Sequence, residues 1–311
     1  MKILVTGGAG FIGSHVVDLL IKNNHEVAII DNLSSGKKEN INYKAKFYHE
    51  DLNFFENIKK IFYEFNPEVV YHFAAQINLR KSIEDPIFDA KENILLTLNL
   101  LELSKEFRIK HFIFSSSCAV YGNIDKVPIT ENDEKKPLSP YGISKLTIEK
   151  YLEYYNKIHN LKYTSLRYSN VYGPRQNTKS EAGVIAIFLE SMFAGKNPTI
   201  FGGTQTRDFI YVEDVANANL AVLNNEKSEI YNVGSGKEID IIGLFSKINK
   251  YFKNSFDPTY KEFKKGEQKR ICLDCKKIKN ELNWEPKIFL DKGLDITYCW
   301  YLKNSNIEKK S

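Results

Sequence analysis

The sequence predicts an α/β fold: a doubly wound parallel sheet with a smaller, partly interleaved C-terminal part. Three observations carry that expectation. Short β-rich runs alternate with helical runs across the first half of the chain, a glycine cluster stands between the first run and the first helix, and the rhythm changes beyond about Asn170. Strands that alternate with helices pair in parallel, because each crossover helix returns the chain to the same end of the sheet.

Lys2 to Thr6 is the first β-rich run, and after the glycines Phe11, Ile12, Val16, Leu19 and Leu20 recur at helical spacing. Val27 to Ile30 follows and ends at Asp31. Lys46 to His49, Val69 to Phe73, His111 to Phe114 and Tyr163 to Arg167 read as further strands. Phe54 to Phe65, Asn93 to Phe107 and Ser144 to His159 read as helices between several of them. Right-handed crossovers then leave the ligand crevice beyond the carboxyl ends of the strands. Past Asn170 the pattern gives a helix at Val184 to Ala194, short strands near Ile200 and Phe209, a helix at Val212 to Leu223, and terminal helices after Asp274 and Leu290. With no internal repeat or flexible linker, residues 1–170 and 171–311 are expected to form two parts that share an interface, with some chain crossing between them.

The 311 residues are 42% hydrophobic, 13% aromatic and 27% charged, which supports a sizeable core and excludes disordered, collagen-like and low-complexity classes. Lys and Arg number 44 against 39 for Asp and Glu, a mild net charge of +5. The densest basic run, Lys261 to Arg270, is broken by Glu262 and Glu267, so it predicts a solvated segment and no nucleic-acid partner. Four cysteines, at 118, 272, 275 and 299, are too few to staple the chain and point to a reducing compartment. Cys272-x-x-Cys275 lacks a second pair, and the six histidines show no ligand spacing, so no metal is expected. No run reaches the roughly 18 apolar residues a membrane span needs. The apolar N-terminus is broken by Gly7, Gly8, Gly10, Gly13, His15 and Asp18, against a signal peptide. A cytoplasmic protein without a membrane partner is the expectation.

Gly7-Gly8-Ala9-Gly10-Phe11-Ile12-Gly13 sits between strand and helix and satisfies Gly-x-x-Gly-x-x-Gly from Gly7 and Gly-x-Gly-x-x-Gly from Gly8. Glycine leaves no Cβ between backbone N–H groups and a diphosphate, and the helix N-terminus adds partial positive charge. The pattern predicts a Rossmann-type dinucleotide site, the alternative being a glycine-rich structural turn. Asp31 lies 18 residues after Gly13, where a carboxylate accepts from an adenosine ribose and repels a 2′-phosphate, favouring NAD over NADP. Asp51 and Leu52, after the third strand, are placed to frame the adenine, although Asp51 alone would also serve as the cap of the next helix.

Tyr141 and Lys145 stand four residues apart, hence on one face of a helix. A nearby cation favours phenolate over phenol, which suits Tyr141 to act as a general base. The spacing is weak alone, since Tyr260 and Lys264 repeat it. What distinguishes Tyr141 is the upstream run Ser115-Ser116-Ser117 at the end of the fifth strand, where Ser117 can orient a proton between a sugar alcohol and the phenol or else cap a turn. No Gly-x-Ser-x-Gly elbow surrounds it. His72, at a strand end near the crevice, is expected to pack or cap rather than catalyse.

Several motifs run together here: Thr6 to His15, Asp31-Asn32, His72-Phe73-Ala74-Ala75-Gln76, Asn93, Ser115 to Gly122, Tyr141-x-x-x-Lys145, Arg167 to Pro174, and Gly203 to Asp214. Over nearly the full chain they resemble the extended short-chain dehydrogenase/reductase family and, within it, the UDP-glucose (UDP-galactose) 4-epimerases. The resemblance implies a tightly held NAD regenerated at each turnover. Tyr141 would deprotonate the sugar 4-hydroxyl as its hydride passes to NAD. The 4-keto sugar would turn over and be reduced on its opposite face. Lys145 would hold the nicotinamide ribose and tune Tyr141, and Ser117 would hydrogen-bond the sugar oxygen. Asn32, Ser35, Gly36, Phe73, Ala74, Ala75, Asn93 and Tyr168 would join the glycines, Asp31, Asp51 and Leu52 around NAD. Asn170, Val184, Phe188, Ile200 and Arg207 would hold the nucleotide diphosphate. Arg207 suits phosphate because its planar guanidinium donates paired hydrogen bonds; the alternative is a surface pair with Asp208 or Glu213.

Two departures stand out. Family members usually carry an arginine two residues before a Gly-Asp pair, and here Lys264 and Glu267 take those places. Ile271, near the position whose bulk separates glucose-type from N-acetylated substrates, is of middling size. A 4,6-dehydratase would need an Asp-Glu pair where Cys118 and Ala119 stand. A uronate epimerase or decarboxylase, or an NAD-binding sensor without turnover, are the alternatives. The resemblance also implies a homodimer through the helices around Ile94 to Leu103 and Leu146 to Tyr155, the alternative being burial of both against their own sheet.

Overall fold

A computed structural model describes residues 1–177, 183–263 and 268–304. Chain order runs β1 (Lys2–Thr6), α1 (Phe11–Lys22), β2 (Glu26–Asp31), β3 (Lys46–His49), α2 (Phe55–Phe65), β4 (Val69–His72), α3 (Leu79–Glu84), α4 (Pro86–Ala90), α5 (Leu96–Glu106), β5 (His111–Ser117), α6 (Pro140–His159) and β6 (Tyr163–Tyr168). Next come β7 (Asn170–Tyr172), α7 (Val184–Phe193), β8 (Thr199–Phe201), β9 (Thr206–Tyr211), α8 (Val212–Val222) and β10 (Glu229–Val233). The chain continues with β11 (Glu238–Asp240), α9 (Ile241–Asn249), β12 (Thr259–Lys261), α10 (Lys276–Leu282) and α11 (Leu290–Asn304).

Seven strands form one parallel sheet in the order β10-β6-β5-β4-β1-β2-β3. The order reverses between β1 and β4, and the crevice opens at that switch point. Central strands buried on both faces need apolar residues at successive positions. Ile3, Leu4 and Val5, and Val27 to Ile30, meet that need. One face packs Val16, Val17 and Leu20 of α1 with Val215, Ala218 and Val222 of α8. The other packs Phe62 and Phe65 of α2, Leu100 and Leu101 of α5, and Ile148 and Leu152 of α6. A second core, with Phe188, Leu189, Ile200, Tyr211, Leu244 and Leu294, lies beneath the smaller part, where β7, β9 and β11 form a three-stranded sheet and β8 pairs with β12.

The structure differs from expectation in several places, among them the unread helices α3, α4 and α9 and the short strands β7, β11 and β12. The strand Glu229–Val233, unread in the sequence, pairs with β6 at the edge of the large sheet, so a segment beyond residue 170 completes the dinucleotide-type sheet. The helix expected over 93–107 begins as one π-type turn at Lys91–Leu95 before α5. β5 extends to Ser117. Finally, α6 starts at Pro140, with the Ser139 side chain capping the Gly142 N–H and proline at the first position. Tyr141 therefore sits in the first turn of that helix.

Candidate active site

β1 ends at Gly7, whose φ of +71° and close neighbour Ala74 admit no side chain: a Cβ there would lie 2.6 Å from the Ala74 nitrogen. Gly13 is tighter still, with a Cβ position 2.2 Å from the Gly7 carbonyl oxygen, so α1 can start only because both residues are glycine. The Asp31 carboxylate secures the turn, accepting from Ala9 N at 2.9 Å and Leu33 N at 2.8 Å. Burial raises the Asp31 carboxyl, and those two N–H donors oppose the rise. Beyond it, Asn32 donates to Asp51 at 2.8 Å, tying the ends of β2 and β3 into one rim.

The strand period decides which serine of β5 faces the crevice. Ser115 and Ser117 are partly exposed, whereas Ser116 turns inward and donates to Glu149 at 2.7 Å. Ser117 Oγ accepts from Ala119 N at 3.1 Å, so it caps a turn and still has its O–H to donate. Gly142 of α6 comes close beneath this turn, and Lys145 Nζ donates to the Ser115 carbonyl at 2.7 Å. The same ammonium stands 4.7 Å from the centre of the Phe114 ring and 5.8 Å from that of Tyr141. Burial pulls Lys145 down to about 8, and the carboxylates of Asp89 and Glu149 oppose the fall.

One cavity of about 730 Å³ joins these parts. Gly7, Gly10, Phe11, Ile12 and Gly13 line it with Asp31, Asn32 and Ser35; Asp51 and Leu52 stand at its rim end. Phe73, Ala74, Ala75 and Tyr168 form its middle, beside Ser117, Tyr141 and Lys145. Asn170, Val184, Phe188, Ile200, Arg207 and Ile271 line the part shared with the smaller core. Lys264 and Glu267 lie outside the described residues.

Two expected cofactor residues are absent from the wall. Asn93 is spent inside the protein: its amide donates to Gln76 O and Asp89 and its oxygen accepts from Gln76 N. Gly36 sits behind Asp31 and Ala9, where an added Cβ would be 3.0 Å from each. Arg207 and Asp208, successive on β9, point to opposite faces. Asp208 is fully buried and accepts from Ser235, Gly236 and Leu273, which removes it as a surface partner of Arg207. His72 bridges Thr6 and Thr97 at 2.7 and 2.8 Å, and burial lowers it to about 3, so it is a neutral packing residue. Cys118 lines the cavity, but burial pushes its thiol up to about 12. Tyr260, half of the second Tyr-Lys spacing, falls on an exposed strand.

The sequence left Arg80 and Gln268 unread. Arg80, at the start of α3, lines the cavity with its guanidinium 5.7 Å from the centre of the Phe201 ring. Gln268 lines it too, donating to Gly122 O at 2.5 Å. Neither belongs to a spacing motif; only the folded chain brings them to the wall.

Comparison with known proteins bears on this site. The pattern of the NAD dependent epimerase/dehydratase family matches residues 3–234. The UDP-glucose 4-epimerase of Thermotoga maritima, solved with UDP-glucose, is 46% identical, with a TM-score of 0.95 over 97% of this chain and 99% of its own. That of Thermus thermophilus, solved with NAD, is 37% identical, with a TM-score of 0.93 over 98% of this chain and all of its own. The UDP-glucose 4-epimerase of Mycolicibacterium smegmatis is 35% identical over 98% of this chain and 100% of its own length. Sequence, fold and cavity agree, and the chain belongs to the NAD-dependent epimerase/dehydratase family.

Proposed function

We propose that the chain is an NAD-dependent nucleotide-sugar 4-epimerase acting on a UDP-hexose. One observation carries this: Tyr141, Lys145 and Ser117 share a single cavity with the glycine turn, Asp31 and Arg207. The residues fit NAD, since Gly7, Gly10 and Gly13 line the cavity at the start of α1, in a turn whose close backbone packing admits no Cβ at Gly7 or Gly13, and Asp31 presents its carboxylate at the same wall. Bound there, NAD supplies hydride removal from C4 and its return.

The chain's own residues do the rest. Tyr141 takes the proton of the 4-hydroxyl and later gives it back. Lys145, held by the Ser115 carbonyl, stabilises the phenolate and binds the nicotinamide ribose. Ser117 donates to the sugar oxygen at C4. Arg207 and the apolar wall of Val184, Phe188 and Ile200 anchor the UDP, leaving the hexose free to present either face. The half-sized Ile271 and Arg80 stand on the same wall. Arg80 favours a second substrate class, the UDP-uronates, whose carboxylate a guanidinium would pair.

The test is incubation with UDP-glucose, UDP-galactose, their N-acetyl analogues and UDP-glucuronate, without added NAD, and resolution of the products. At least one C4 pair interconverts, and Tyr141→Phe abolishes this while retaining NAD. Full activity in that variant, or no interconversion of any pair by the unmodified enzyme, overturns the proposal.

A homodimer belongs to the same proposal. Ile143, Tyr151, Tyr154 and Ile158 form an exposed apolar stripe along α6, on the side away from its sheet, and Leu95 is exposed at the head of α5. A two-fold contact through both helices would cover it. Light scattering at the mass of one chain counts against this. A cytoplasmic setting is supported by four free cysteines and by the lack, among the described residues, of a helix long and apolar enough to cross a membrane.

A further inference from the structure

Behind the Tyr141–Lys145 face lies a buried polar layer that the chemistry above leaves unused. Glu149, one turn beyond Lys145 on α6, is gripped by Arg167, with Nε to Oε1 at 2.9 Å and Nη2 to Oε2 at 2.6 Å. Both side chains are almost wholly buried. The negative charge of Glu149 is thus cancelled in contact.

Asp89 is different. It is fully buried at the end of α4, accepting from Gln76 Nε2 at 2.8 Å, Asn93 Nδ2 at 3.0 Å and Ser144 Oγ at 2.7 Å. All three donors are neutral, so its lone pairs are satisfied while, among the described residues, no ion pair cancels its charge. Ser144 immediately precedes Lys145, and of the two carboxylates whose charge reaches the ammonium, Asp89 acts more strongly than Glu149.

The other groups packed around Lys145 add little charge. His72 of β4 is neutral, Arg167 of β6 is spent on Glu149, and the Cys118 thiol beyond β5 stays protonated. Arg80, Lys81 and Glu84 of α3 are solvent-exposed. Glu92 of the π turn is partly exposed at the cavity, and Glu102 of α5 is committed to Tyr155, three turns down α6. Tyr141 is the only other titratable group on the same stretch of α6.

We propose that Asp89 is a positioning residue for the Tyr141–Lys145 pair, pinning the first turns of α6 through Ser144 and supplying the uncancelled negative charge that a buried ammonium requires. This deepens the epimerase reading and rests on it for the roles of Tyr141 and Lys145. Asp89 touches no substrate; it acts through Ser144 and Lys145.

The test titrates Lys145 directly, by the 13C resonance of its Cε in lysine-labelled, NAD-loaded enzyme, assigned through its loss in Lys145→Met. In Asp89→Asn the midpoint falls by about one pH unit, the size expected on removing one nearby charge in a buried site. In Ser144→Ala the midpoint stays put, while kcat drops about tenfold with KM little changed. The alkaline limb of the Asp89→Asn rate profile follows the NMR midpoint down. An unmoved Lys145 midpoint in Asp89→Asn overturns the proposal. Should Asp89→Asn aggregate, unchanged kcat in Ser144→Ala overturns it instead. The titration needs no turnover, so an enzyme inactive on every UDP-sugar would sink the epimerase reading separately.

Discussion

Lys145 donates its ammonium to the carbonyl of Ser115 at 2.7 Å, locking the helix of the base to the strand that ends in Ser117. The bond crosses from α6 to β5, so Ser117 and Tyr141, 24 positions apart in sequence, are held on elements tied together by one buried cation. Its charge sets both the pH range and a stability cost.

Activity should fall as pH rises through about 8, where Lys145 loses its proton. Stability should move the other way. The folded value lies below the ordinary 10.5, so burying the ammonium costs stability in full below about 8 and the cost is relieved between there and 10.5. The relief is on the order of 3 kcal/mol. Urea unfolding across this range, against Lys145→Met, isolates it: the variant lacks the rise and loses at least about a hundredfold in kcat.

Gly13→Ala should abolish NAD retention, because the new methyl must displace the Gly7 carbonyl and with it the turn. Absorbance of released cofactor after denaturation checks this. Near-stoichiometric NAD in the variant would contradict the cradle.

Arg207→Ala should raise KM for UDP-sugars about ten- to a hundredfold with a smaller change in kcat, the loss expected for charge-assisted bonds to phosphate. Arg207→Lys should recover only part, since an ammonium keeps the charge without the fork. Steady-state kinetics separate the two; equal KM in all three enzymes would remove Arg207 from the substrate site.

Breaking the Glu149–Arg167 pair by Glu149→Gln should cost about 3–5 kcal/mol, because a guanidinium is left buried and unpaired. Lys46→Ala, in an exposed pair with Glu64, should leave the urea midpoint nearly unchanged.

The legible features are local ones. The glycine turn, Asp31 and the Tyr141–Lys145 spacing each lie within one turn, one strand end or one helix, where sequence distance fixes geometry. The engagement of the Asn93 amide by Gln76 and Asp89 has no local sequence signal, because it depends on the π turn that carries it. Glu229–Val233 went unread because five residues with little alternation carry no strand signal until β6 offers an edge. The charge balance around Asp89 was invisible for a related reason: it depends on Arg167, 78 positions away in sequence, having already been taken by Glu149.

The late edge strand β10 has a consequence for the molecule's history. Residues 229–233 zip onto β6, and the very next segment, through Ser235 and Gly236, reaches back to clasp Asp208. A polypeptide severed after residue 170 would bare the rim of β6 and strip Val215, Ala218 and Val222 from the back of α1, inviting intermolecular stacking. Neither lobe is a portable module, so recombination could exchange them only by moving several stretches of chain at once.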